Sequence, residues 1–371
     1  MPSRAVGFTR SGVADRNIDV KKQYRKYRLS AFAPSLLAVL VAAIIHGSAP
    51  TVHACDVCSI YIGTTKQEQR KGLFVAAAEQ FTRFGTLQLN GKEIPNFDNE
   101  RMDSSITQFV LGYTFNRRAH VQLNVPLINR DYRRVTATGT ESGNETGVGD
   151  IMLVGRYSLV QTVFPNSILN LDLVGGLKLP SGSTDRLGED PIPVPEAADA
   201  TGNSLPRQSI EGPRPHHDGE TSISGVHGHD LTLGTGSVDG MIGTRLFTSY
   251  RRLFFAAGVQ YMLRTEGDYK YHYANELQWN SSIGAYVLLS HDYTFALESW
   301  IHGETKGKDT QNGVRVDDTS ITALYIGPKA RFSYRDRTNA DFGIGFPVIQ
   351  NTTDLQIVAD WRIRAAWIWH F

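Results

Sequence analysis

Hydrophobic and polar residues alternate most clearly at the end of the chain, in residues 361–371. Because successive side chains of a β-strand point to opposite faces, one face of this strand would be entirely apolar and mostly aromatic. The other face would carry Arg362, Arg364 and His370. A strand of a membrane barrel needs this arrangement, with lipid outside, a polar interior and aromatic side chains at the interfaces.

The same alternation recurs in about twelve segments from Leu73 onward. In the clearest of them, leucines at 169, 171, 173, 177 and 179 alternate with Asn170, Asp172 and Lys178. Strands that are apolar on one face and polar on the other are typical of barrels in the outer membrane. The pattern therefore predicts an all-β fold for residues 73–371, an antiparallel transmembrane β-barrel of about 12 strands.

The connections between the predicted strands alternate in length. Five are short, and most of the others are long, polar and glycine-rich, the longest being residues 180–236. Short periplasmic turns and longer outer loops characterise outer-membrane barrels, whereas a soluble sandwich has no reason to sort its loops in this way. An even number of strands also predicts that both termini are periplasmic.

Residues 1–54 have the layout of an export signal. Arg25, Lys26 and Arg28 form a basic region, followed by an apolar run at 36–45 that is too short to span a bilayer as a helix. Small residues before Cys55 predict cleavage near Ala54 and delivery to the outer membrane of a Gram-negative bacterium. The alternative is a tail that stays anchored in a membrane.

Charge and composition narrow the class of protein further. The chain has 38 basic and 37 acidic residues, so no bulk attraction to nucleic acid is expected. Mean hydropathy is slightly negative, which argues against a helical membrane protein but not against a barrel, whose strands are only half apolar. We therefore expect outer-membrane lipid as a partner of the barrel, and no nucleic acid.

The two cysteines of the chain, Cys55 and Cys58, lie in a short segment, 55–72, between the signal and the barrel. In an oxidising compartment they are candidates for a small disulfide loop. Two alternatives remain open, lipidation of Cys55 and a metal site. A redox role is not favoured, because nothing around the pair resembles a thioredoxin-like unit.

Charged residues gather on the face that the alternation turns inward. They give either a selective polar path or a salt-bridged interior that holds the barrel in shape, and pairing is favoured for most of them because an unpaired buried charge is costly. The candidates for lining the interior are Asp150, Arg156, Asp172, Lys178, Asp239, Arg245, Glu276, Glu298, Arg362 and Arg364.

The long loop 180–236 contains four histidines that are candidate ligands for zinc or copper, His216, His217, His227 and His229. Their spacing is not that of a fixed structural zinc site. Because proline and glycine saturate the stretch, a solvated and partly mobile outer loop is the favoured interpretation.

Three glycine-rich patches follow one another along the chain: Gly147-Val148-Gly149-Asp150 with Leu153 and Tyr157, Gly176 to Gly182, and Leu233 to Asp239. In this order they resemble the outer-membrane transporter family named for the MetA pathway of phenol degradation, over about residues 73–371. The resemblance implies a β-barrel that moves small, often aromatic or hydrophobic, compounds across the outer membrane. The chain departs from the family pattern in its Cys-Asp-Val-Cys segment and its histidine-bearing loop.

The aromatic C-terminus carries a second resemblance. A strand that ends on an aromatic residue, here Phe371, is similar to the closing strand of bacterial outer-membrane proteins and implies the barrel-assembly machinery as a partner.

The expected function is a porin-like channel or transporter for passive passage of small molecules, with no cofactor. The alternative is a closed barrel that serves as a scaffold, or binds a metal or a partner through its histidine-bearing outer loop. An enzyme is not expected. The strand histidines His120, His302 and His370 all face inward, so a lipase-like serine on the lipid-facing wall would lack its base.

Overall fold

Long antiparallel strands dominate the computed structural model, which describes residues 71–189, 224–335 and 337–371. Within these residues it has seventeen strands and four short helical turns. The strands are β1 (Gly72–Leu89), β2 (Lys92–Ile94), β3 (Arg101–Thr114), β4 (Ala119–Thr136), β5 (Gly139–Val148), β6 (Ile151–Phe164), β7 (Ser167–Leu179), β8 (Asp239–Tyr250), β9 (Leu253–Leu263), β10 (Tyr271–His272), β11 (Glu276–Leu289), β12 (Tyr293–Lys306), β13 (Thr310–Gln311), β14 (Val314–Arg315), β15 (Ile321–Tyr334), β16 (Thr338–Thr352) and β17 (Leu355–His370). The helical turns are Asp185–Glu189, Gly228–Leu231, Asp268–Lys270 and Asp317–Thr319.

Twelve of the strands form one closed antiparallel barrel. Around the wall their order is β1, β3, β4, β6, β7, β8, β9, β11, β12, β15, β16 and β17. The wall closes where β17 pairs with β1, from Phe74 opposite His370 to Leu89 opposite Leu355. The predicted antiparallel barrel of about 12 strands is therefore confirmed. Within the described residues, no helix is long and apolar enough to cross a membrane.

The two ends of the barrel differ in their connections. The terminal end, which holds Gly72 and His370, has five short turns of two to four residues. They follow strands β3, β6, β8, β11 and β15. The opposite end, here called the loop end, holds β2, β5, the small sheet β10-β13-β14 and the long connection from β7 to β8. The predicted sorting of short and long connections is present. The periplasmic location of the termini stays a prediction.

Alternation sorts the side chains of the wall into two faces. Along β3, for example, every second residue from Met102 to Thr114 is buried, whereas Phe109, Leu111 and Tyr113 are exposed. Aromatic pairs border the outer face near the terminal end, with ring centroids 5.1 Å apart for Tyr113 and Phe115. This is the layout that a lipid-facing wall with interfacial aromatic residues requires.

Local chemistry explains the tight turns at the loop end. Asn90 and Gly91 both have positive φ, 51° and 74°, and reverse the chain between β1 and β2. Asn312 and Gly313 repeat the arrangement, at 51° and 79°, between β13 and β14. Asn-Gly is favoured here because a two-residue hairpin turn with the correct twist needs positive φ at both positions.

The first strand is longer than its sequence pattern predicts. The pattern predicts a strand near residues 73–83, but β1 continues to Leu89, because its pairing with β17 resumes after register shifts between Arg83 and Thr86. A shift of this kind interrupts the simple alternation from which the strand was predicted. The predicted signal, the pair Cys55 and Cys58, and His216 and His217 lie outside the described residues.

Candidate channel interior

A segment of the long β7–β8 connection enters the barrel. Residues 224–237, here called the inward segment, are buried except for Asp230 and Gly236, which are partly buried. Val226 and Leu231 pack in one apolar cluster with inward side chains from several strands, namely Phe84, Leu87, Met102, Tyr132, Trp300, Ala323, Tyr325, Ile357 and Ala359. The favoured interpretation of the whole loop as a solvated outer spacer is therefore wrong for these residues. Their apolar side chains gain more from the barrel interior than from water.

Polar contacts tether the inward segment to the wall near its beginning. The backbone N–H of Ile357 donates to the carbonyl of Gly225 over 2.9 Å, and the N–H of Gly225 donates to the carboxylate of Glu100 over 3.1 Å. The guanidinium of Arg130 donates to the carbonyl oxygens of Asp230 and Thr232, the latter over 2.9 Å. Buried carbonyl groups need such donors, so the wall satisfies the irregular backbone that enters it.

Lys178 is the centre of the contacts at the other end of the segment. Its Nζ lies 2.6 Å from Asp150 and 2.9 Å from Asp239, and it also donates to the hydroxyl of Thr235. Asp150 in turn accepts hydrogen bonds from the backbone N–H groups of Gly182 and Thr235, at 3.0 and 2.9 Å. One buried ammonium thus joins two wall strands to the inward segment.

This Lys178 cluster also shows what the three glycine-rich patches do. The patches supply Asp150, Lys178 with Gly182, and Gly234 with Asp239, and all of them meet here. A Cβ on Gly182 would lie 2.6 Å from the carbonyl of Leu233, and one on Gly234 would lie 2.5 Å from the carbonyl of Gly182. The two backbones approach so closely that only glycine fits at the crossing.

The charges continue around the wall from Asp239. Arg264 contacts Asp239 over 3.1 Å and Glu276 over 2.9 Å, and both of its partners are fully buried. Arg264 was not among the residues that the sequence predicted for the interior. Continuing the inward alternation through Gln260 and Met262 would have found it.

A second cluster includes Glu304 of β12, the strand that pairs with the strand of Glu276. Arg362 donates to both carboxylate oxygens of Glu304, and its guanidinium stacks over the ring of Tyr325 at 4.2 Å. His302 Nε2 lies 3.2 Å from the same carboxylate. Glu304 was not among the predicted residues, although it continues the inward alternation after Glu298 and His302.

The remaining predicted residues also lie on the inward face. Arg156 and Asp172 form a pair at 4.0 Å, and Glu298 contacts Arg331 at 2.8 Å. Arg364 donates to Gln80 over 2.7 Å, while Arg245 lines the interior cavity described next. The sequence therefore placed these side chains on the inward face, but their partners became visible only in the structure.

Two cavities lie inside the barrel. The central cavity, of about 150 Å³, is lined by Arg245, Trp300, His302, Arg331 and Arg364 among others. The loop-end cavity, of about 100 Å³, lies between the inward segment and the wall; its lining includes Arg130, His229, Asp230, Glu304, Tyr325 and Arg362. Glu304 and Arg362 are the next inward positions along their strands from His302 and Arg364, so the Arg362–Glu304 pair lines the loop-end cavity on the side that adjoins the central cavity.

Three residues that line the central cavity each have a polar atom that is buried without a hydrogen bond among the described protein atoms. These are Trp300 Nε1, His302 Nδ1 and Arg331 Nε. A buried polar atom without a partner is costly. The lining thus combines polar side chains with aromatic surface.

Two of the candidate metal-binding histidines are buried in the inward segment. His227 Nδ1 lies 3.2 Å from Asp230 and His227 Nε2 lies 3.2 Å from Asp318. Burial lowers the pKa of His227, but the carboxylates of Asp318 and Asp230 raise it by more than burial lowers it. The pKa of His227 therefore lies above its ordinary value. Burial raises the pKa of Asp230, but the imidazoles of His229 and His227 hold it well below its usual range.

Comparison with known proteins bears on the fold. No protein-family model and no curated protein matches the chain. Among solved structures, the chain is similar to an outer-membrane channel from Pseudomonas putida F1, with 12% identity, a TM-score of 0.53, and coverage of 84% of this chain and 100% of the channel. It is also similar to the β domain of the Bordetella autotransporter BrkA, with 10% identity, a TM-score of 0.40, and coverage of 81% and 100%.

A third similar structure is the translocator domain of the autotransporter NalP from Neisseria meningitidis, with 12% identity and a TM-score of 0.38, covering 91% of this chain and 96% of that domain. The class defined by the fold is that of closed antiparallel β-barrels, to which that outer-membrane channel also belongs. Because no family model matches the chain, the resemblance to the family named for the MetA pathway stays a prediction.

Proposed function

We propose that this protein is an outer-membrane channel for passive passage of small molecules, including hydrophobic or aromatic ones. The observation that carries the proposal is a closed barrel whose outer face is apolar and whose interior holds a cavity of about 150 Å³ lined by polar and aromatic side chains. A barrel built only as a scaffold has no need of such a cavity.

The outer face supports residence in a lipid bilayer. Large apolar side chains are exposed around the wall, among them Leu111, Leu153, Leu177, Ile283 and Phe342. So much exposed apolar surface is unfavourable in water, whereas it suits hydrocarbon. With periplasmic termini, the loop end would face the outside of the cell, and the strand that ends at Phe371 would be the one presented to the assembly machinery.

The central cavity supports a particular kind of solute. Trp300 and His302 offer ring surface, and Arg331 and Arg364 add positive charge. Small molecules with an aromatic or apolar body and an oxygen acceptor would fit this lining. That class includes the aromatic compounds implied by the resemblance to the MetA-pathway family.

The inward segment is the proposed constriction. It fills the loop end of the interior and borders the loop-end cavity, so it stands between the outside and the central cavity. A polar, irregular segment held by wall side chains can narrow a barrel without adding a domain.

Single-channel recording in planar bilayers tests the proposal. Three refolded proteins are compared: the full chain, a variant in which a short Gly-Ser linker replaces 183–236, and a matched control in which the same linker replaces only 190–223. We expect small steps from the full chain and the control, and larger steps from the variant that lacks the inward segment. Absence of current from all three, with folding verified, would overturn the channel proposal.

The alternative function is a closed scaffold that binds a metal or a partner. The extensive pairing of interior charges and the buried His227 and His229 favour it. Liposome swelling separates the two functions, because a channel admits small aromatic solutes and a closed scaffold does not.

A further inference from the structure

Three potential metal ligands lie together in the inward segment, and two of them, His229 and Asp230, line the loop-end cavity. The ligand atoms of His227, His229 and Asp230 all lie within 4.8 Å of one another. His227 Nδ1 is 3.2 Å and His229 Nε2 is 3.6 Å from the carboxylate of Asp230. For a tetrahedral ion with bonds of about 2.0–2.1 Å, neighbouring ligand atoms are about 3.3 Å apart. The observed spacing therefore suits a bound cation.

The surroundings of His227 provide a second and independent observation. Its other ring nitrogen, Nε2, lies 3.2 Å from a carboxylate oxygen of Asp318. Histidines that bind metals usually direct the second nitrogen at a carboxylate, which orients the ring and makes it a better ligand. His227 is 5% exposed, and both its Nε2 and Asp318 Oδ1 are buried without a hydrogen bond among the described protein atoms.

The two imidazole rings lie close to each other and beside the same carboxylate. They stack at 5.0 Å with an interplanar angle of 9°, and Asp230 lies beside both.

We propose that His227, His229 and Asp230 bind one divalent transition-metal cation of the zinc class, and that Asp318 orients His227. Two imidazoles and one carboxylate are a ligand set that zinc accepts, with a fourth position left for water or a solute. Because His229 and Asp230 also line the loop-end cavity, this fourth position is accessible from inside the barrel.

Binding would have a mechanical consequence. The three ligands belong to the inward segment, whereas Asp318 belongs to the turn Asp317–Thr319 between β14 and β15. A cation that fixes His227 also strengthens its contact with Asp318, and so ties the inward segment to the wall. This consequence rests on the proposed channel function, but binding of the metal does not.

The test uses the full refolded chain in detergent with Zn²⁺ or Co²⁺ as the only added ligand. Calorimetry is expected to show one equivalent bound, and Co²⁺ is expected to show the intense visible absorption of a tetrahedral site. His229→Gln should weaken binding by at least about tenfold, and Asp318→Asn should weaken it by about tenfold. His291→Gln is the matched control, since His291 is exposed on a turn at the terminal end.

Each outcome decides the proposal. Wild-type affinity in a folded His229→Gln protein overturns it, and so does loss of binding only in a His216→Gln/His217→Gln variant. Folding of every variant is checked by heat-dependent migration on gels, and Asp318→Asn offers a second test if His229→Gln does not fold. If zinc binds as expected but channel conductance does not change, the metal site is confirmed, and the proposed tie between the inward segment and the wall is rejected. A barrel without any conductance would instead reject the proposed function.

Discussion

Arg362 and Glu304 face each other across the interior as a two-pronged ion pair. Two guanidinium N–H groups donate to the two carboxylate oxygens, each over 3.1 Å, and Arg362 is fully buried. The pair belongs to the lining of the loop-end cavity, beside His302 and Arg364 of the central cavity. In the proposed channel, a permeating ion would pass this pair.

Neutralising Arg362 and neutralising Glu304 should change the charge selectivity of the channel in opposite directions. Arg362→Gln leaves Glu304 uncompensated and should shift selectivity toward cations, whereas Glu304→Gln should shift it toward anions. Reversal potentials in a salt gradient measure the effect. Arg335→Gln, in an exposed pair at the terminal end, is the control and should leave the reversal potential unchanged. Unchanged potentials in both folded interior variants would remove the pair from the ion path.

Lys178 should matter for stability more than an exposed charge does. Lys178→Met leaves Asp150 and Asp239 buried without their ammonium partner, which should cost about 3–5 kcal/mol. Arg101→Met breaks a half-exposed pair with Asp131 and should cost at most about 1 kcal/mol. Denaturant unfolding followed by tryptophan fluorescence measures both. Equal losses in the two variants would show that Lys178 does not hold the glycine-rich crossing together.

Gly303 should be intolerant of a side chain. It pairs with Trp279 on the neighbouring strand, and a Cβ at Gly303 would lie 2.2 Å from the indole ring. Gly303→Val should displace the ring and lower the free energy of unfolding by about 1–3 kcal/mol. Gly240→Val is the matched control, since a Cβ there meets nothing within 4 Å. A shifted tryptophan emission in the first variant alone would confirm the packing, and identical spectra in both would contradict it.

Glu100 should make stability depend on pH. Burial raises the pKa of its carboxyl above the ordinary value near 4.5, although hydrogen bonds from Ser224 and Gly225 oppose the shift. The folded state thus holds the proton more tightly than the unfolded state. The stabilisation that Glu100 contributes is complete below the pKa that its carboxyl has in the unfolded state. It is lost as pH rises through the pKa that the carboxyl has in the folded state.

Glu100→Gln should remove this dependence. The free energy of unfolding of the variant, minus that of the wild type, is expected to increase from pH 4 to pH 7. Denaturant titrations at several pH values measure the difference, and Glu93→Gln, on an exposed position of β2, is the control. A difference that stays constant with pH, or decreases, would contradict the assignment.

The wall of the barrel follows from local pattern. Three local features predicted about twelve antiparallel strands: alternation with a period of two, short turns and a terminal aromatic strand. The alternation also predicted that Asp172, Lys178 and Arg362 face inward. Each of these features depends only on near neighbours in the chain. Where the alternation was interrupted or the strand ran longer than expected, residues such as Arg264 and Glu304 were missed.

The interior contacts depended on the closed structure. Residues 224–237 have no periodic pattern from which their position inside the barrel could be predicted. This irregular segment is held instead by partners distant in sequence, such as Glu100, Arg130 and Ile357. The sequence by itself thus determined the barrel and the sign of charge along each strand. Only the tertiary structure decided which charges pair, where the cavities lie and why glycine is needed at 182 and 234, since closure of the wall brings those residues together.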